Sequence, residues 1–235
     1  MGRAKAKSKS TSMTKSKTKK IMGVDEAGRG PVIGPMVVCG AHIDQRALAS
    51  IESMGLKDSK KLSAKKREAF AVELKDMLEF ELIVLPSDTI DARVGSEENL
   101  NVLEVNCFAD AIRAVKPGTA YVDACDVNAE RFGFNIRRNL DFDLEIVSCH
   151  EADNKYPIVM AASILAKVHR DGLISEISEK LGEDVGSGYP NDPVTIEFLK
   201  SYYKKNKKLP DCARKSWKTA DSIIADCLQA RLFQF

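Results

Sequence analysis

Two short apolar runs near the start of the chain, Ile21 to Asp25 and Met36 to Ile43, are joined by a link running only from Glu26 to Pro35. A parallel pair needs a crossover of a dozen residues or more. This short link, rich in glycine and proline, suits an antiparallel pair. Further along the rhythm changes. Ala120 to Ala124 reads as a strand, Ala129 to Asn139 as a helix and Leu144 to Cys149 as a strand, followed by a loop and a long helix. Antiparallel pairing followed by β-α-β alternation implies an α/β fold with a mixed sheet flanked by helices.

Between these blocks, Gln45 to Met54 reads as a helix closed by Gly55, and Ser63 as the N-cap of a helix reaching about Leu78. Phe80 to Leu85 alternates as a strand, and a helix from Glu97 to Val115 stops before Pro117-Gly118. "GSGYPNDP", Gly186 to Pro193, reads as a hinge before two helices, about Val194 to Lys205 and Ser216 to Leu232. The expected division is a basic tail over 1–20, a main domain over 21–185 and a small C-terminal helical appendage over 186–235.

Acids stand where burial is expected. Asp25 closes the run Ile21-Met22-Gly23-Val24, and Asp123 sits in "TAYVDAC" between Val122 and Ala124. A buried ionised carboxylate costs several kcal/mol unless it is compensated. Asp25 could cap the turn that follows it, and Asp123 could cap the next helix. Asp126 and Asn128 are better placed for the second task. Asp153 lies in the loop that leads into the long helix. Strand ends collect ligands in open α/β sheets, so Asp25, Glu26, Asp123 and Asp153 form a candidate cluster. Four converging carboxylates repel one another, and two divalent cations would balance them. All-oxygen ligands favour Mg2+ or Mn2+ over zinc.

The helix after Asp153 is apolar almost all round except for Ser163, Lys167 and Arg170, whose spacing places them on one stripe. That stripe is either a solvated edge or a contact for nucleic-acid phosphate. Gly28-Arg29-Gly30 misses the spacing of a dinucleotide fingerprint, and no phosphate-loop motif exists. Two glycines offer either a tight turn or a close backbone approach to a ligand, such as a sugar 2′-hydroxyl.

Residues 1–20 hold Arg3, seven lysines and no acid, while the whole chain carries a formal net charge of +2. The remainder is therefore acidic. Such a tail is expected to be disordered, either as a polyanion tether or as a vestigial extension. The six scattered cysteines form no CxxC pair, which fits free thiols in a reducing cytoplasm. No run is long enough to span a membrane, and no apolar segment follows the basic stretch to make a signal peptide.

The segments "GVDEAGRGPVIGP", "DSKKLS", "YVDACDVN", "HEADNKYPIVMAASILAKVHRD" and "GSGYPNDP" together resemble the successive motifs of ribonuclease HII, in its archaeal single-chain form. The resemblance runs from about Ile21 to the end. It implies a ribonuclease H-like fold with a five-stranded mixed sheet. It implies that Asp25, Glu26, Asp123 and Asp153 bind two divalent ions, and that Gly28, Arg29 and Gly30 read the ribonucleotide and its flanking phosphate. Tyr189 would contact the same turn and pack on the sugar of the following nucleotide, and Lys60 and Lys61 would lie near the substrate strand. The implied activity is two-metal hydrolysis of RNA in RNA/DNA hybrids and nicking on the 5′ side of single ribonucleotides in DNA, leaving 3′-hydroxyl and 5′-phosphate ends. A monomer is expected, and "LQARLFQF" at the C-terminus reads either as a sliding-clamp peptide or as a helix end packed on the body. Two rival readings remain: a non-catalytic nucleic-acid-binding protein with a basic arm, and a different two-metal nuclease or phosphatase.

Overall fold

The computed structural model describes residues 19–56, 62–93 and 99–232. Among them a five-stranded sheet runs β3-β2-β1-β4-β5. Its strands are β1 (Lys20–Ala27), β2 (Met36–Asp44), β3 (Glu79–Leu85), β4 (Thr119–Asp123) and β5 (Glu145–Cys149). The short link after β1 produces the expected antiparallel pair with β2, and β3 continues it antiparallel. β4 and β5 join on the other side of β1, both parallel. The sheet is thus mixed, with β1 at its centre and its polarity changing there.

The helices are α1 (Leu48–Ser53), α2 (Ala64–Met77), α3 (Ser87–Ala92), α4 (Leu100–Val115), α5 (Ala129–Arg138), α6 (Ala152–Lys155), α7 (Pro157–Leu181), α8 (Pro193–Asn206) and α9 (Lys218–Leu232). Ser63 caps α2 by accepting from Lys66 N, and Asn128 caps α5 by accepting from Arg131 N. Asp126 braces that cap by accepting from Asn128 N, so Asp123 is not needed there. The helix expected from Glu97 begins at Leu100 with Asn99 as its cap, and Glu97 lies outside the described residues. The six-residue α3 was not foreseen, being too short to show a helical period.

Side chains alternate across β1, and this alternation builds two layers. Met22 and Val24 pack with Phe108 and Ile112 of α4 and Phe132 and Ile136 of α5. The opposite face meets α7, whose central residues Ile158 to Ala166 are all buried. Gly23 permits that contact: a Cβ there would stand 2.3 Å from the Ile158 carbonyl oxygen, so α7 lies directly on the β1 backbone. A third cluster joins Val32 and Ile33 to Ile174 of α7, Phe198 and Leu199 of α8 and Ile223 of α9. Through it the C-terminal helices pack against the segment after β1. Gly188 O accepts from Val32 N at 2.8 Å and Ile33 N at 3.1 Å, so the stretch expected to be a hinge is tied to that segment. All six cysteines are free thiols. Among the described residues no helix is long and apolar enough to cross a membrane.

Candidate active site

The parallel strands β1, β4 and β5 end at the same edge of the sheet. The last β1–β4 pair is Val24 with Val122, and one step further stand Asp25 and Asp123. Asp123 pairs in turn with Cys149 at the end of β5. The chain then turns through Glu151 (φ 54°) into α6, which carries Asp153 in its first turn. Asp123 Oδ1 accepts from Ala152 N at 3.1 Å and so fixes α6 to the strand end. Asp25, Asp123 and Asp153 each offer a carboxylate oxygen within 4.8 Å of the others. Asp25 and Asp153 are buried at 5% and 1% exposure.

Such a trio is electrostatically unfavourable by itself. Burial, with Glu26 and Asp123 beside it, holds the Asp25 carboxyl well above the usual range, opposed by a Ser163 hydrogen bond and the Lys167 ammonium. Lys167 Nζ donates to Ser163 Oγ at 2.6 Å, so two of the three stripe residues on α7 serve Asp25. Arg170, the third, does not make a solvated edge. It is 2% exposed, and its guanidinium donates to the carbonyls of Pro35, Ile33 and Ser187. The expectation that Arg170 meets phosphate gives way to one in which it supports the backbone beneath the turn.

Glu26 adjoins this trio through a side-chain hydrogen bond with Asp25 and also reaches a second group. It follows Asp25 on a strand, and its side chain meets Glu104 of α4 and Cys125, again with ligand atoms within 4.8 Å. Burial, then Glu104 and Asp123, push the Glu26 carboxyl up to about 7. Glu104 is fully buried and is also pushed up to about 7 by burial, against the pull of Arg29. Sequence reasoning missed Glu104. Its signal was an acid on the same helical stripe as Phe108 and Ile112. Both clusters could hold a divalent ion. The all-carboxylate trio, buried and mutually repelling, is the donor set that hard ions such as Mg2+ or Mn2+ prefer.

The Gly-Arg-Gly turn lies beside these acids. Gly28 takes φ +91°, and a Cβ there would stand 2.5 Å from Arg170 Cδ, so the position admits only glycine without rearrangement. Arg214, from the loop before α9, is fully buried and donates to Gly28 O at 2.6 Å, Arg29 O at 3.0 Å and Gly34 O at 3.0 Å. Burial and the nearby Arg170 lower its guanidinium to about 9. Trp217 Nε1 donates to Gly30 O at 3.2 Å. Sequence reasoning missed Arg214 and Trp217. Tyr189 is 38% exposed and stacks on Arg170, with the guanidinium carbon 5.1 Å from the ring centroid. Its Cε1 lies 3.9 Å from where a Gly30 Cβ would be, which brings Tyr189 to the turn. Arg29 is half-buried and turns toward α4, ion-paired with Glu104 at 3.1 Å and hydrogen-bonded to Asn101 and the Cys125 carbonyl. Lys60, Lys61 and residues 1–18 lie outside the described residues, as do 233–235 of the C-terminal peptide.

The Ribonuclease HII family model matches residues 22–220. Ribonuclease HII of Methanocella arvoryzae is 72% identical over 223 residues, spanning 95% of this chain and all of that protein. Among solved structures, ribonuclease H2 from Pyrococcus horikoshii OT3 superposes with a TM-score of 0.82 at 41% identity, covering 89% of this chain and 99% of that one. The PCNA:RNase HII complex from Archaeoglobus fulgidus matches with a TM-score of 0.79 at 39% identity, covering 86% of this chain and 96% of that one.

Proposed function

The chain belongs to the ribonuclease HII family, and on that premise we propose that Asp25, Glu26, Asp123 and Asp153 hold two divalent ions, Mg2+ or Mn2+, where the ribonucleotide strand is cut. The protein is a metal-dependent endoribonuclease that hydrolyses the RNA of RNA/DNA hybrids, on a ribonuclease H-like fold. The observation that carries the residue assignment is the meeting of Asp25, Asp123 and Asp153 within 4.8 Å at one sheet edge, beside the turn. When bound, the ions supply an activated water and charge neutralisation at the departing 3′ oxygen.

The remaining work falls to the chain itself. Ser163 and Lys167 brace Asp25 from α7. The carbonyls of Gly28 and Arg29 are turned inward to Arg214. In a trans peptide the N–H points opposite its carbonyl, so the amides of Arg29 and Gly30 face away from Arg214, available to the ribose 2′-hydroxyl and its phosphate. Tyr189, exposed beside Gly30, packs on the next sugar. Such a reader needs only one ribonucleotide, so the enzyme also nicks DNA duplexes on the 5′ side of a lone ribonucleotide, leaving 3′-hydroxyl and 5′-phosphate ends. Its roles would be RNA primer removal and ribonucleotide excision repair, in the cytoplasm and as a monomer. Lys60 and Lys61 would flank the substrate strand. The division into a tail over 1–20, a catalytic domain over 21–185 and a helical subdomain over 186–235 belongs to the same proposal. A relative whose structure is that of a PCNA:RNase HII complex supports a sliding-clamp partner, which would bind the C-terminal "LQARLFQF", residues 228–235.

The test is a DNA duplex with one internal ribonucleotide. A single nick on its 5′ side, only with Mg2+ or Mn2+ present, is expected. An intact duplex under conditions that cleave a long hybrid would remove the single-ribonucleotide reading.

A further inference from the structure

Glu104 has no place in the mechanism above, yet it is a carboxylate with no exposed surface. It is fully buried on α4, and beyond the weak donor of the Cys125 thiol its oxygens find no hydrogen-bond donor of good geometry. An unpaired charge in that position would cost several kcal/mol. Its closest cation is Arg29, whose Nε stands 3.1 Å from Glu104 Oε1, with the Cys125 thiol and the Arg214 charge adding smaller support. The same guanidinium is held at its other two nitrogens, by Asn101 Oδ1 at 2.6 Å and by the Cys125 carbonyl. Arg29 is therefore fixed on three sides by α4 and the β4–α5 loop.

Glu26 makes this arrangement consequential. A Glu26 oxygen lies within 4.8 Å of one on Glu104, so Arg29 has two carboxylates within a small side-chain movement and pairs with the buried one. Had it paired with Glu26, a monovalent cation would occupy a carboxylate that the proposed site needs for a divalent one. Arg29 cannot lose its charge to relieve such competition.

We propose that Glu104 is a positioning residue that holds the Arg29 guanidinium against α4 and so keeps Glu26 open to a divalent ion. The inference rests on the reading of Glu26 as a metal ligand. Glu104 does not touch the substrate. It acts by deciding which of two acids the arginine of the turn neutralises. When Glu104 is replaced by glutamine, Arg29 turns to Glu26, whose carboxylate lies within 4.8 Å of the Glu104 position, and competes with the ion there.

The test is calorimetric titration of the full chain with Mn2+ alone, in four forms: wild type, Glu104→Gln, Arg29→Met and the double variant. Glutamine keeps the volume of Glu104, and circular dichroism of each form establishes that it is folded. Glu104→Gln weakens Mn2+ binding about tenfold when Arg29 is present, the scale of an altered outer-shell partner. In the Arg29→Met background the same substitution changes it by less than about twofold, because the competing cation is gone. A double variant that binds Mn2+ as weakly as Glu104→Gln overturns the proposal, because removing the competing Arg29 must restore binding. Unchanged binding in Glu104→Gln overturns it as well. Asp123→Asn is titrated alongside: if it still binds Mn2+ as the wild type does, the underlying metal-site reading fails, independently of Glu104.

Discussion

Asp25 and Glu26, neighbours in β1, link two acid groups: Asp25 joins Asp123 and Asp153, Glu26 meets Glu104 and Cys125, and the two carboxyls stay hydrogen-bonded to each other. The site therefore straddles the end of the central strand, and the adjacent turn is reached from both layers. Asp123, at the next strand end, acts on both groups: its charge raises the carboxyls of both Asp25 and Glu26.

Asp123→Asn keeps shape and hydrogen-bonding capacity but removes the charge that holds a cation. Turnover on an RNA/DNA hybrid is expected to fall by more than about a hundredfold, beyond the range for an outer-shell residue. Duplex affinity, measured by fluorescence anisotropy in the presence of chelator, should stay within about threefold, because phosphate contacts dominate it. Near-normal cleavage would remove Asp123 from the metal site.

The carboxyls of Glu26 and Glu104 are raised from 4.5 to about 7 in the folded protein. The folded state thus binds more protons than the unfolded chain between those values, and the associated stability is present below 4.5 and lost as pH rises through about 7. The metal-free protein should show a melting temperature that declines over this window. Mn2+ should flatten the decline by stabilising the ionised folded form. Differential scanning fluorimetry with and without chelator checks both statements, and a melting temperature rising with pH in chelator would contradict the first.

Arg214 supplies donors to Gly28 O, Arg29 O and Gly34 O, all within the turn segment. Arg214→Met fills the space but leaves these carbonyls without their partner, so a loss of about 2–4 kcal/mol is expected in urea unfolding. Because the same bonds orient the turn, KM on a lone-ribonucleotide duplex should rise as well. A stability loss without a change in KM would separate Arg214 from substrate reading.

Tyr189 comes to the turn near Gly30 and is partly exposed. Its removal should matter most when a single ribonucleotide provides all the recognition. Tyr189→Ala is expected to reduce kcat/KM on a lone-ribonucleotide duplex about tenfold more than on a long hybrid, a difference comparable to the loss of one stacked sugar or base contact. Equal losses on the two substrates would count against its reading role.

Much of this was legible in the sequence. The short link after β1 announced the antiparallel pair, Ser63 and Asn128 announced their helices, and acids at strand ends announced the trio. The meeting of Glu26 with Glu104 was available from strand alternation and the helical stripe of α4, but an acid among apolar helix residues drew no notice. Arg214 was not legible at all. Its partners lie about 180 residues away, and nothing local separates a guanidinium that binds carbonyls from one on the surface. Arg170 was misread for a related reason: its polar stripe faces inward, because the loops after β1 and before α8 cover it with backbone carbonyls.

The most direct measurement is a crystal structure grown with Mn2+, with the ions located from their anomalous scattering. A peak bounded by Asp25, Asp123 and Asp153, lost in Asp123→Asn crystals, is the predicted result. Anomalous density confined to other acids, with those three carboxylates turned apart, would contradict the account.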